Sequence, residues 1–83
     1  MKQILYFTAP WCQPCQTLGP IMDELSKQFP DRIKKVNIDY DPDLPQRYNV
    51  KSIPTTIIFE NGEEVGRKVG VQPKSYYVQI LNS

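Results

Sequence analysis

Ile4-Leu5-Tyr6-Phe7-Thr8-Ala9-Pro10-Trp11-Cys12-Gln13-Pro14-Cys15 is the stretch that decides the fold. Its first four residues are apolar without alternation, as a strand buried on both faces requires. Thr8-Ala9-Pro10 closes the run. The period then changes. Leu18, Ile21, Met22, Leu25 and Phe29 follow the i, i+3, i+4, i+7, i+11 spacing of an amphipathic helix, predicted over about Gln13–Gln28. Pro14 falls in its first turn, where the missing N–H is tolerated. Pro20 falls mid-helix and predicts a kink. Phe29-Pro30-Asp31 ends it. Two cysteines therefore sit where a buried strand hands over to a helix.

Outward from there, Lys35-Val36-Asn37-Ile38-Asp39 alternates and reads as a short strand, completing a βαβ unit with a parallel pair. Asp41-Pro42 reads as an N-cap followed by proline at the first helical position. A short helix to about Tyr48 follows, weakened by Pro45. Pro54 to Phe59 reads as the third strand. Asn61-Gly62 is a strong hairpin signal, and Glu64 to Val69 returns antiparallel. Pro73 opens a last helix with Tyr76, Tyr77, Ile80 and Leu81 on its apolar face. The expectation is an α/β fold, β-α-β-(α)-β-β-α, with a four-stranded mixed sheet and helices on both faces. Residues 1–83 are read as a single domain, with an expected stability of roughly 4–12 kcal/mol.

Composition narrows the function. Ten Lys and Arg stand against nine Asp and Glu, for a net charge of +1. That balance argues against a nucleic-acid binder. The longest apolar run, Ile4 to Phe7, is too short to span a bilayer or to form the apolar region of a secretory signal, so the expected compartment is the cytoplasm. Histidine is absent. This removes Ser-His and Cys-His triads and every His-ligated metal site. Two thiolates alone do not complete a zinc site within one chain. No metal or cofactor is expected.

The cysteine pair needs a chemical explanation. Unpaired N–H groups and the positive end of the helix dipole gather at Cys12 and favour its thiolate, the form that attacks a disulfide. Cys15 lies one turn further along the same helix face, within reach of Cys12 and more deeply buried. An exposed attacking thiol with a shielded partner suits two-step exchange.

The string Ala9-Pro10-Trp11-Cys12-Gln13-Pro14-Cys15 resembles the active site of the thioredoxin family. The likeness continues through Pro20, Asn37-Ile38-Asp39, Ile53-Pro54-Thr55, Phe59-Glu60-Asn61-Gly62-Glu63 and Val69-Gly70, in order along nearly the whole chain. The resemblance implies a thioredoxin-like fold and a Cys12–Cys15 redox disulfide. It implies a substrate-docking surface of Trp11, Gln13, Pro14, Ile53, Pro54 and Gly70, with the Pro54 peptide bond cis. Lys35 and Tyr6 would be supporting residues, Lys35 matching a lysine below the site. Asp39 and Asp41 read as strand-end and capping residues.

Three departures stand out. A typical thioredoxin has an additional N-terminal strand and helix, so the resemblance is to a minimal, glutaredoxin-sized version. Tyr6 occupies the place of the family's buried acid, six residues before the first cysteine, and a phenol is a poor base at neutral pH. Gln13 replaces the usual glycine between the cysteines. The function implied is a protein-disulfide reductase, recharged by a thioredoxin reductase; with no exposed apolar stripe to demand a dimer, a monomer is the expected form. One alternative is a glutaredoxin-like protein using glutathione. Against it, Pro14 directly precedes the second cysteine, and no glycine pair with acidic residues follows the hairpin. A redox-independent binding module is the alternative from another class.

Overall fold

The computed structural model describes residues 1–83. Seven elements run in the order β1 (Lys2–Thr8), α1 (Gln13–Gln28), β2 (Ile33–Asn37), α2 (Asp43–Arg47), β3 (Thr55–Glu60), β4 (Glu63–Val69) and α3 (Lys74–Asn82). They form one sheet of order β2-β1-β3-β4. β1 pairs parallel with β2 and antiparallel with β3, and β3 pairs antiparallel with β4. The expected mixed sheet and element order are therefore present.

β1 is central because every residue from Ile4 to Thr8 is buried. Its alternation divides the core into two layers. Ile4 and Tyr6 pack with Leu18, Met22 and Leu25 of α1, Ile58 of β3, and Tyr77 and Leu81 of α3. Leu5 and Phe7 pack on the other face with Val36 and Ile57, under Leu44 and Tyr48 from the α2 segment. Helices thus cover both faces, though α2 is five residues long and has no buried residue.

α1 occupies the predicted span and continues past Pro20. The Asp41 carboxylate accepts from the Leu44 N–H at 3.3 Å, but α2 begins at Asp43 with Pro42, not Asp41, as its N-cap. In the hairpin, Asn61 and Gly62 both have positive φ, 53° and 87°, as a type I′ turn demands.

Strand boundaries differ from expectation: β1 extends to Lys2 and Thr8, β3 to Glu60, and β4 starts at Glu63. β2 runs from Ile33 to Asn37 and not from Lys35 to Asp39. Ile33 and Lys34 complete the ladder opposite Ile4 and Leu5, while the Asn37 side chain accepts from the Asp39 N–H at 2.9 Å and turns the chain out of the sheet. Pro54 lies just before β3, which starts at Thr55. No helix is long and apolar enough to cross a membrane.

Candidate active site

Cys12 is the N-cap of α1, with extended backbone angles, φ −90° and ψ 114°. Ordinary N-caps offer a side-chain oxygen to the first free N–H groups of the helix. Here sulfur takes that part: the Cys15 N–H donates to Cys12 Sγ at 3.3 Å. Pro14 has no N–H, and the first turn of α1 contains no acidic residue. The positive end of the helix is therefore left to the sulfur, which favours a thiolate there once the pair is reduced.

Cys12 and Cys15 are joined by a disulfide. They pack with Ala9 into a small cluster against Ile38 and Ile53. The contrast in burial expected between the two cysteines is small: Cys12 is 5% exposed and Cys15 2%. The disulfide draws the first sulfur against the helix, where those apolar side chains cover it.

Trp11 is not a core residue, being 67% exposed. Its indole N–H donates to the Asp39 carboxylate at 3.2 Å. Asp39 is thus more than a strand-end residue, since it ties down the aromatic beside Cys12. Trp11, Ile38, Val50 and Ile53, with Pro45, Lys51 and Ser52, line a groove of about 350 Å³ next to the disulfide. The Ile53–Pro54 peptide bond is cis. The Pro54 carbonyl accepts from the Gly70 N–H at 2.8 Å, which brings the end of β4 to the cis-proline loop. Gly70 has φ +93°, and a side chain there would meet no heavy atom within 4 Å. Glycine is required by backbone conformation, and open space lies beside it. Gln13 and Pro14 are exposed on the first turn of α1.

The supporting residues divide. Tyr6 is buried in the layer under α1. Burial, followed by the Asp23 carboxylate, pushes its phenol up to about 12. It stays protonated at neutral pH and supplies no base. Lys35 is exposed on the edge strand β2 and makes no ion pair. It faces a surface groove with Lys34, Tyr40 and Asp41. The cysteine cluster, by contrast, is walled by apolar residues.

A disulfide at a helix N-terminus thus lies beside a cis-proline loop. The family model described as Thioredoxin matches residues 1–83. This chain belongs to the thioredoxin family. It is 46% identical over 81 residues to the thioredoxin of Rickettsia typhi, covering 95% of this chain and 77% of the relative. Thioredoxin 1 of Synechococcus elongatus is 41% identical over 78 residues, covering 92% and 73%. Among solved structures, a mutant thioredoxin from Halobacterium salinarum superposes with a TM-score of 0.88 at 31% identity, covering 98% of this chain and 72% of that one. Oxidized mitochondrial thioredoxin 3 from Saccharomyces cerevisiae gives 0.83 at 29%, covering 99% and 78%. The chain is a thioredoxin-type thiol–disulfide oxidoreductase, with Cys12 and Cys15 as its C-x-x-C pair and disulfides as its substrates.

Proposed function

We propose that this thioredoxin is a reductant of protein disulfides in which Cys12 attacks and Cys15 resolves. The Cys12 thiolate adds to one sulfur of the substrate disulfide and expels the other as a thiolate. The Cys15 sulfur, after losing its proton, then attacks Cys12 Sγ. This forms the Cys12–Cys15 bond and releases the second substrate thiol. Two electrons pass to the substrate in each cycle. The observation that carries the assignment is the Cys15 N–H aimed at Cys12 Sγ at 3.3 Å, on a sulfur that caps α1. Only one of the two sulfurs receives that stabilisation.

In this reading Trp11, Gln13 and Pro14 form one side of the docking surface, and Ile53, Pro54 and Gly70 the other. Support comes from the exposure of Trp11 and from the Gly70–Pro54 hydrogen bond, which holds the second side together. Tyr6 and Lys35 act in the background, Tyr6 as packing and Lys35 as a solvated charge. The working form is a monomeric single domain of the cytoplasm, where thiols are kept reduced. A flavoprotein thioredoxin reductase recharges it.

Alkylation of the reduced protein with limiting iodoacetamide tests the order of attack. Cys12 should be modified first, and Cys15→Ser should accumulate a mixed disulfide that Cys12→Ser cannot form. Preferential labelling of Cys15 would reverse the roles. Equilibration with glutathione buffers tests the direction of electron flow. A potential at or below about −230 mV fits a reductant, whereas one near −180 mV or above would make the protein an oxidant or isomerase.

A further inference from the structure

Gln16 follows Cys15 directly, and the thiol chemistry above leaves it without a part. Its side chain is exposed, yet its amide Nε2 donates to the Pro10 carbonyl at 2.9 Å. With Cys12 as N-cap, Gln16 is the fourth residue of α1 and Pro10 lies two residues before the cap. A capping box would place a side chain at the third helical position to reach back over the helix start. Cys15 takes that position here. The reach is made from one residue later, by a donor directed to a loop carbonyl.

The loop that carries Trp11 and Cys12 has few other ties. The Cys12 N–H donates to the Ala9 carbonyl at 3.2 Å, which bends the loop on itself. The Trp11 indole bonds Asp39 at 3.2 Å, which ties the loop to the segment after β2. Beyond the chain itself, the loop's ties to α1 through Cys12 are the disulfide and the Cys15 N–H on Cys12 Sγ, and both run through sulfur whose bonding changes on reduction. The Gln16–Pro10 bond involves neither sulfur.

We propose that Gln16 is a positioning residue of the dithiol site, holding the Pro10–Cys12 loop to α1 while the disulfide is open. Its influence on Trp11 belongs to the reduced half of the cycle. Its influence on turnover rests on the reading that Cys12 attacks and Trp11 docks the substrate.

Trp11 is the single tryptophan, so its fluorescence reports on this loop alone. The test compares wild type with Gln16→Met, which keeps length and helix propensity but lacks the donor, and with Gln16→Ala. Time-resolved anisotropy is recorded for the air-oxidised protein and for the protein reduced by dithiothreitol. Both variants should show faster local motion of Trp11 in the reduced form and wild-type motion in the oxidised form. They should also raise KM for a protein disulfide about two- to tenfold, the weight of one hydrogen bond, with a smaller change in kcat. Wild-type anisotropy in the reduced variants would overturn the proposal, as would equal loosening in both redox states. The anisotropy result does not depend on which cysteine attacks. A failed order of attack would show in the iodoacetamide labelling and leave the redox-dependent motion of Trp11 intact.

Discussion

Tyr6 sits where the family resemblance places an acid, and its surroundings make it the opposite of a base. The phenol is pushed up to about 12, first by burial and then by the Asp23 carboxylate. An unfolded tyrosine titrates near 10. Below about pH 10 both states keep the proton, and the buried neutral phenol contributes its full stabilisation. Between about 10 and 12 the unfolded chain loses a proton that the folded chain retains, so stability falls as pH rises. Urea midpoints of the oxidised protein should therefore decline above pH 10. Tyr6→Phe should decline less steeply while changing the neutral-pH stability by no more than about 1 kcal/mol. Tyr77 is raised too, again by burial, so the variant keeps part of the slope. Parallel pH profiles for the two proteins would refute this account of Tyr6. For the exchange reaction, the consequence is that no protein side chain at this position takes the Cys15 proton. Tyr6→Asp should then change the pH dependence of mixed-disulfide decay between pH 6 and 9, a change that stopped-flow kinetics can follow.

At the scale of elements, what could be read from the sequence depended on how local the deciding interactions are. The limits of α1 follow from residues within it and beside it: the cysteine cap, the leucine and methionine stripe, and Phe29 with Pro30 beyond. The β3–β4 hairpin is equally local, because Asn61 and Gly62 alone supply the two positive φ angles. Gly62→Ala should accordingly cost about 1 kcal/mol by straining a φ of +87° without any steric clash. That corresponds to a fall of roughly 4–8 °C in the thermal midpoint, and an unchanged midpoint would show that the turn relaxes. The limits of β2 were not legible, since its alternation runs on through Ile38 and Asp39. The strand is ended by its ladder with β1 and by the Asn37 side chain, and neither shows in a period-two pattern. The cysteines, the cis-proline loop and Gly70 could be identified from motif order. The Trp11–Asp39 bond could not, because it joins residues 28 positions apart and is made only after folding. The Gln16–Pro10 contact is short in sequence, yet no period or motif in the sequence marked it.

The whole molecule measures 30 × 25 × 19 Å, and its net charge is +1. Screening at physiological salt acts over about 8 Å, so only charges close to the disulfide can guide a substrate onto it. Those charges are few and opposed. Asp39 is bonded to the Trp11 indole, and Lys51 lines the adjoining groove. The ion pairs lie elsewhere, between Lys2 and Glu60, Glu64 and Arg67, and Glu24 and Lys74. Around the cysteines the contact surface is Trp11, Ile38 and Ile53, which supports docking by apolar burial without long-range attraction. The reduction rate of an uncharged disulfide substrate should therefore be almost flat in salt. Between 20 and 300 mM NaCl, kcat/KM should change less than about twofold, whereas steered encounters fall steeply over such a range. Trp11→Ala should reduce kcat/KM at every salt concentration without altering that flat dependence. A steep decline with salt in the wild type would mean that a charged patch, and not the apolar rim around Trp11, brings substrates to the disulfide.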